Sequence, residues 1–267
     1  MNPKSRRAEQ LEAFDRLLTI MDELREQCPW DRKQTLQSLR YLTIEETYEL
    51  SDAILEDDLP EIRKELGDVM LHLIFYARIA SETGAFDIAD VLHGQCEKLI
   101  SRHPHIYGDV KADDEETVKR NWEALKLKEG NRSVLSGVPK SLPAVVKAMR
   151  IQEKARGAGF DWEEKSQVWA KVKEEMGEFE ELYLKTDRGE ADQAELEKEF
   201  GDLLFSLINF ARFAQVEPEA ALERTNKKFI QRFTYLEEEA RKAGKQLSDM
   251  TLAEMDTYWE AAKLLEK

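Results

Sequence analysis

Four short blocks of sequence occur twice in this chain, in the same order in its two halves. Any one match is unremarkable in a chain rich in Glu and Lys, but four matches in order indicate a duplicated structural unit. The paired blocks are EETYE and EEMGE (45–49 and 174–178), KELGD and KEFGD (64–68 and 198–202), EKLISRH and KKFIQRF (97–103 and 227–233), and NWEALK and YWEAAK (121–126 and 258–263).

Apolar residues in both halves recur at helical spacing rather than at the alternating spacing of strands. Ile62, Leu66, Val69 and Leu73 follow one another at intervals of three or four residues, which predicts one face of an α-helix. The second half repeats this spacing in Leu196, Phe200, Leu203, Leu207 and Phe210. We therefore predict an all-α fold of two tandem helical bundle domains.

One stretch interrupts the helical pattern, EGNRSVLSGVPKSLPAV at residues 129–145. It contains two glycines and two prolines, which favour turns over helix. We predict a linker over 129–145, which joins an N-terminal helical domain at 1–128 to a C-terminal helical domain at 146–267.

Charge and cysteine content exclude several classes of function. The chain carries 40 Lys and Arg against 55 Asp and Glu, a formal net charge of −15. Nucleic acids and anionic membranes attract proteins through basic residues, so we expect neither as a partner. Two cysteines do not make a disulfide framework, and the first residues lack the apolar core of a signal peptide. We therefore expect a cytoplasmic protein.

Acidic residues recur at three-residue spacing in both copies, and residues so spaced share one helical face. The four pairs are Glu46 with Glu49, Glu65 with Asp68, Glu175 with Glu178, and Glu199 with Asp202. Two facing helices would bring four carboxylates into a small volume in each copy, and their mutual repulsion calls for a cation. All-oxygen ligation favours Mg²⁺, with Mn²⁺ as the alternative. A di-iron bundle would instead use Glu-x-x-His, which these motifs lack.

A single EExxE pattern is more often a solvent-exposed acidic face than a metal site. Here the pattern occurs twice, and Asp68 and Asp202 border strongly apolar runs where an exposed face would not continue. We expect these aspartates to be the deepest metal ligands. We expect Gly67 and Gly201, which precede them, to leave clearance for the facing helix.

Basic, amide and aromatic side chains in the second half fit a triphosphate with a stacked base, although each alone is more often an ordinary surface or core residue. Lys171 precedes Glu174 and Glu175 by one helical turn, and the first copy has no comparable lysine. Asn226 stands where the first copy has Cys96, and an amide bonds phosphate or ribose oxygens better than a thiol does. These differences favour catalysis in the second half. The further members of this set are Lys228, Arg232, Trp259 and Lys263.

The double acidic motif, with RHPHIYGD at 102–109, GFDW at 159–162 and YWEAAK at 258–263, resembles the MazG family of two-domain bacterial nucleoside triphosphate pyrophosphohydrolases. The resemblance covers nearly the whole chain. It implies an all-α, Mg²⁺-dependent homodimer, with each domain dimerising, that converts a nucleoside triphosphate and water to the monophosphate and diphosphate. It also implies that the second acidic set holds Mg²⁺. The catalytic residues so implied are Glu174, Glu175 and Glu178, with Glu174 or another of the site's carboxylates orienting the attacking water. The implied phosphate contacts are Lys171, Lys228, Arg232 and Lys263, with Trp259 near the nucleoside.

The acidic motifs are further apart in the second copy than in the first. The interval from Glu175 to Glu199 is longer than the interval from Glu46 to Glu65. The extra residues fall in LKTDRGEADQAELE at 184–197, which we predict to be a loop.

The alternative to an enzyme is a non-catalytic helical module that binds nucleotides or a partner protein. This alternative fits the N-terminal copy better than the C-terminal copy, because the N-terminal copy has Cys96 and lacks a counterpart of Lys171. In this alternative one or both acidic sites are vestigial. The acids Glu46, Glu49, Glu65 and Asp68 are the candidates for a second metal site.

Overall fold

The computed structural model describes residues 3–109, 117–118, 133–190 and 192–265. Within these ranges the regular structure is helical and no strand occurs, which confirms the predicted all-α class. The helices are α1 (Pro3–Gln27), α2 (Leu36–Leu55), α3 (Leu59–Ser81), α4 (Ile88–Arg102), α5 (Pro104–Tyr107), α6 (Ala144–Gly157), α7 (Lys165–Asp187), α8 (Gln193–Phe213), α9 (Pro218–Lys242) and α10 (Leu252–Leu265). Short 3₁₀ turns lie at Asp31–Lys33, Val134–Gly137 and Leu247–Asp249.

The chain divides into two compact units, Met1–Asp113 and Asp114–Lys267. The block NWEALK at 121–126 lies outside the described residues. The described part of the predicted linker contains the turn Val134–Gly137, which packs against α6, and α6 itself begins at Ala144. The domain limits 1–128, 129–145 and 146–267 stay predictions.

The first unit is built on a hairpin of α2 and α3, with α1 packed against α3 and against the turn Asp31–Lys33. Its core joins residues from α1, α2 and α3, because each helix turns an apolar face inward. The fully buried members of this core are Met21, Leu39, Ile74 and Phe75.

The second unit repeats this plan with a hairpin of α7 and α8 and with α6 packed against α8. Helix α9 packs against α6 and pairs with α10. Its buried apolar residues are Ala148, Val168, Val172, Leu236, Ala240, Met250 and Ala262. In both units the helix before the hairpin packs on the hairpin's second helix, as a structural duplication requires.

Each hairpin begins its helices with hydrogen-bonded caps, which satisfy backbone N–H groups that the helix leaves free. The Thr35 hydroxyl accepts from Ser38 N–H at the start of α2, and Asp58 accepts from Glu61 N–H at the start of α3. At the start of α7, the Glu164 N–H donates to the Gln167 side chain.

The predicted loop at 184–197 is wrong in extent. Helix α7 continues to Asp187, and α8 begins at Gln193, so only residues 188–192 connect them. The first hairpin uses residues 56–58 for the same connection. Most of the extra residues of the second copy therefore lie in a longer α7. Leu184, Lys185 and Thr186 are compatible with continuation of this helix.

Both hairpins expose an apolar stripe at equivalent positions of their second helix. The stripes are Leu66, Met70 and Leu73 on α3, and Phe200, Leu204 and Leu207 on α8. Within the described ranges, none of the helices combines the length and apolar character needed to cross a membrane.

Candidate functional site

The first acidic cluster joins α2 to α3. Ligand atoms of Glu46, Glu49 and Glu65 all lie within 4.8 Å of one another. Glu65 is only 1% exposed, and its Oε2 has no hydrogen-bond partner among the described residues. Burial raises the pKa of Glu46 above its usual value, and the charges of Asp68, Glu49 and Glu65 raise it further. This crowding of negative charge is the condition that a bound cation relieves.

The second acidic cluster joins α7 to α8 in the same way. Ligand atoms of Glu175, Glu178 and Glu199 lie within 4.8 Å of one another. Glu175 is 7% exposed, the Glu199 side chain is 19% exposed, and Glu178 is exposed. The predicted convergence of EExxE and ExxD residues from two helices therefore holds in both copies for three acids of each four.

Lysines pair with the most buried acids of both clusters. Lys171 Nζ lies 2.8 Å from Glu174 Oε1 and 2.6 Å from Glu175 Oε1, and these hydrogen bonds raise the pKa of Lys171. In the first cluster Lys64 Nζ lies 2.6 Å from Glu65 Oε1 and 2.6 Å from Glu61 Oε1. Positive charge is thus drawn to each cluster.

Lys64 and its counterpart Lys198 were missed by the sequence analysis. Lys198 Nζ lies 3.0 Å from Glu199 Oε1 and 3.8 Å from Asp202 Oδ2, which raises the pKa of Lys198. The signal was present in the sequence, since the lysine opens both KELGD and KEFGD.

The expectation that the aspartates are the deepest ligands is wrong. Asp202 has a 52% exposed side chain and Asp68 is half-buried, whereas Glu65 and Glu175 are buried. Neither aspartate belongs to the groups within 4.8 Å. Each aspartate lies three residues beyond its glutamate, about 4.5 Å further along the helix. Its side chain is also one methylene shorter than that of a glutamate, so it does not reach the cluster from there.

The expectation that the two glycines leave clearance for the facing helix of their own hairpin is also wrong. Both Gly67 and Gly201 are exposed. A Cβ added at either position would meet no atom of the described residues within 4 Å. They therefore leave no clearance for the other helix of their own hairpin.

The predicted phosphate and nucleoside contacts other than Lys171 lie on α9 and α10. The Arg232 guanidinium lies 5.6 Å from the centre of the Trp259 ring, and Phe229 packs on the same ring at 5.0 Å. Asn226 Nδ2 donates to Glu223 Oε2 at 3.1 Å, Lys263 pairs with Glu260, and Lys228 is exposed. The structure brings Arg232 and Trp259 together. The approach of this set to the acids of α7 and α8 stays a prediction.

The donor chemistry of both clusters fits a hard divalent cation. Three carboxylates within 4.8 Å offer only oxygen ligands, which Mg²⁺ and Mn²⁺ favour over softer metals. The buried Oε2 of Glu65, which has no hydrogen-bond partner among the residues that the structure describes, is an acceptor that a cation would satisfy. The facing acids from two helices therefore form a suitable metal centre in each unit.

Comparison with known proteins agrees with this duplication. Residues 34–107 and 163–236 match the MazG nucleotide pyrophosphohydrolase domain, and each match contains one acidic hairpin. Over 94% of its length the chain is 43% identical to the nucleoside triphosphate pyrophosphohydrolase/pyrophosphatase MazG of Thermotoga maritima, of which it covers 95%. Over 95% of its length it is 39% identical to the nucleoside triphosphate pyrophosphohydrolase of Escherichia coli, of which it covers 98%. It is also 48% identical to the uncharacterized protein YabN of Bacillus subtilis over 95% of its own length, which is 52% of YabN. With one family domain around each acidic hairpin and two relatives that align along almost their whole length, this chain belongs to the MazG family of nucleotide pyrophosphohydrolases.

Proposed function

We propose that this chain is a Mg²⁺-dependent nucleoside triphosphate pyrophosphohydrolase that releases the monophosphate and diphosphate. The names of the Thermotoga maritima and Escherichia coli relatives support the reaction. The observation that carries the proposal is the convergence of Glu175, Glu178 and Glu199 from two helices within 4.8 Å. On the sequence grounds given above, we place the reaction in the cytoplasm.

The carboxylates of α7 and α8 divide two tasks. Glu175, Glu178 and Glu199 would hold Mg²⁺, with Asp202 at the exposed rim of the site, and Mn²⁺ would serve in the same place. The metal would neutralise phosphate charge when bound. Glu174 is exposed and next to Glu175, so its carboxylate is free to orient and deprotonate the attacking water once the Lys171 contact shifts.

Positive charge for the triphosphate comes from α7, α9 and α10. Lys171 is held beside the acids by Glu174 and Glu175, and we propose that it moves to a phosphate oxygen when substrate arrives. The residues of α9 and α10 complete the binding of the triphosphate, ribose and base. They are Asn226, Lys228, Arg232, Lys263 and, beneath the base, Trp259.

We propose that turnover belongs mainly to the second unit. Lys171 pairs with the buried acid of that cluster from the EExxE helix, and the first unit offers no lysine at this position. We infer that the first unit also binds a divalent cation, through Glu46, Glu49 and Glu65 with Asp68 alongside, because Glu65 Oε2 is buried and has no partner in the described ranges. Its activity would then be binding of a nucleotide or of a partner protein.

We propose further that the protein is a homodimer. The second helix of each hairpin exposes the apolar stripe described above, and a second copy would cover it. Gly67 and Gly201 lie beside these stripes, where their open space would allow a helix of the second copy to approach closely. Sedimentation of the full chain tests this proposal, and Leu204→Glu is expected to shift it toward monomer. A monomeric unsubstituted chain would contradict the proposal.

The reaction is tested by product analysis across canonical and modified nucleoside triphosphates, with and without Mg²⁺. The expected products are the monophosphate and diphosphate, formed only with the metal. Release of the nucleoside diphosphate with orthophosphate would show that a different bond is cleaved. Nucleotide binding by calorimetry without any product would support the non-catalytic alternative.

A further inference from the structure

A two-sided ion pair ties the segment before α7 to the end of α8. Arg212 Nη1 donates to Asp161 Oδ2 at 2.7 Å, and Nη2 donates to Asp161 Oδ1 at 2.5 Å. Both side chains are about four-fifths shielded from solvent, with 19% and 22% exposure. Asn209 accepts a third bond from Nη2 at 2.9 Å. A planar guanidinium held at three points fixes direction as well as distance.

A second contact ties α6 to the same half of α8. Gln152 is 7% exposed, and its Nε2 donates to the backbone oxygen of Phe205 at 2.9 Å. The turn between α6 and Asp161 is itself held by backbone bonds, with Gly159 at φ +88 and the Phe160 N–H donating to Ala155 O at 2.9 Å. Helix α6, the turn and the C-terminal half of α8 are therefore linked on both sides of the turn.

The ion pair lies at the end of the hairpin away from its connection, because Asp161 precedes α7 by four residues and Arg212 is the residue before the last of α8. The metal cluster lies between this pair and the connection. Because α7 and α8 run in opposite directions from a short connection, a pair that holds the segment before α7 to the end of α8 limits how far the two helices can slide past each other. It therefore limits the separation of Glu175 from Glu199. Sliding one helix by a single turn would move the acids by about 5.4 Å. That slip exceeds the 4.8 Å within which the three ligand atoms now lie.

We propose that Asp161 and Arg212 are positioning residues that set the axial register of α7 on α8, and so the ligand geometry of Glu175, Glu178 and Glu199. This inference rests on the proposed metal site of the second unit. The pair touches neither the metal ligands nor the predicted phosphate contacts, so its effect passes through the helices.

The first unit holds its hairpin differently. Arg78 occupies the position that corresponds to Arg212, but its Nε donates to Asp22 Oδ1 of α1 at 2.5 Å. A different arginine, Arg25 of α1, donates to the backbone oxygen of Asp31, before α2, and pairs with Glu82 at 2.7 Å. The second unit's tie runs directly from side chain to side chain, so one substitution can release it.

Mn²⁺ binding to the full chain without nucleotide tests the inference, followed by the loss of the free-ion paramagnetic resonance signal. A Glu49→Gln background removes one acid of the first cluster, so that binding reports on the second. Asp161→Asn is expected to weaken Mn²⁺ binding about tenfold, as outer contacts of metal sites do. Asp161→Glu keeps the charge and is expected to restore most of the affinity. Helical circular dichroism confirms that each variant is folded at the assay temperature.

A double variant of Asp161 and Arg212 distinguishes an effect on the register of α7 and α8 from a general loss of stability. Arg212→Gln is expected to match Asp161→Asn, and the two together to be no worse than either alone, because both remove one tie. If Asp161→Asn does not fold, Arg212→Lys replaces it, with an expected weakening of about threefold. Arg156→Gln is the matched control, since Arg156 lies 3.8 Å from Asp161 and is half exposed.

Two results overturn the inference. One is a folded Asp161→Asn or Arg212→Lys chain that binds Mn²⁺ as tightly as the background. The other is a double variant whose loss is the product of the single losses. A background chain that binds no Mn²⁺ at all overturns the proposed metal site, and the inference with it.

Discussion

The two acidic hairpins place the buried acid on opposite helices. In the first unit the buried acid is Glu65 of α3, the ExxD helix, and one of its oxygens has no partner in the described part of the chain. In the second unit it is Glu175 of α7, the EExxE helix, and it is already paired with Lys171. Lys64 pairs with the other oxygen of Glu65, so what distinguishes the second cluster is a lysine on its EExxE helix.

This difference separates metal binding from catalysis. An orphaned buried carboxylate oxygen calls for a cation but supplies no group to hold a substrate. A lysine that can exchange a carboxylate for a phosphate supplies such a group, since its stem is flexible and its charge compact. The comparison predicts that both units bind metal and that the second carries most of the turnover.

The sharpest test replaces equivalent acids in the two units. Glu175→Gln is expected to lower kcat by about 10³-fold or more, because it removes a metal ligand from the site of charge development. Glu46→Gln changes the equivalent acid of the first unit and is expected to cost far less. Steady-state release of diphosphate measures both. Equal losses would contradict the assignment of turnover to the second unit.

Lys171 is the residue that distinguishes the second cluster on its EExxE helix. Lys171→Met is expected to lower kcat/KM by about 10- to 100-fold, because one positioned cation at the phosphates is lost. Lys185→Met is the matched control, since Lys185 pairs with Glu181 on the same helix and their side chains are 43% and 71% exposed. A loss of similar size in the control would mean that surface charge, rather than position, is responsible.

Stability without metal should change in opposite directions in the two units. The folded pKa of Glu46 is raised, so protonation of this group favours folding. That advantage is complete below the usual value of 4.5 and is lost as the pH rises through the folded pKa. Glu46→Gln should therefore stabilise the chelated protein at pH 7, whereas Glu175→Gln removes the partner of Lys171 and should destabilise it.

Thermal unfolding in EDTA at pH 7 and pH 5 measures this effect. The stabilising effect of Glu46→Gln is expected to shrink at pH 5, where the original carboxyl is closer to protonation. Excess Mg²⁺ should stabilise the unsubstituted chain more than either variant. If both variants shift stability in the same direction, the contrast between the repelled Glu46 carboxylate and the lysine-paired Glu175 carboxylate is wrong.

The smallest expected effect concerns the ion pair between Arg25 of α1 and Glu82 at the end of α3 in the first unit. Glu82→Gln removes the charge that pairs with Arg25 and is expected to cost about 0.5 kcal/mol at pH 7. Hydrogen bonds from Arg25 lower the pKa of Glu82, so the contribution is present above the usual carboxyl pKa and is lost as the pH falls through the lowered value. Urea unfolding at pH 7 and near pH 3 measures it. A constant difference at both pH values would show that charge pairing is not its cause.

Helical periodicity and i,i+3 spacing were sufficient to predict the helices and the convergence of the acids. Spacing shows which side chains share a face, and the repeat showed that the faces occur in pairs. It does not show how deep each residue of that face lies, which depends on the packing of the opposite helix. For that reason Asp68 and Asp202 were placed too deep, and Glu65 and Glu175 not deep enough.

Contacts between segments that are distant in sequence could not be predicted from the sequence. Asp161 lay in the noted block GFDW, but nothing in its spacing indicated Arg212, 51 residues later. Likewise the sequence of residues 184–197 was compatible with either a loop or a longer helix, since polar stretches with a glycine occur both in loops and at the ends of helices. The tertiary contacts of α7 with α8 decided for helix.

The open positions at Gly67 and Gly201 have a consequence for evolution of the chain by laboratory selection. A glycine inside a helix costs about 1 kcal/mol relative to alanine, and here no contact within the described residues offsets it. Selection for thermal stability of the isolated chain would therefore favour alanine at both sites. Selection for assembled, active protein would keep glycine if a second molecule packs into the open space beside it. The two kinds of selection would then give different residues at these two positions.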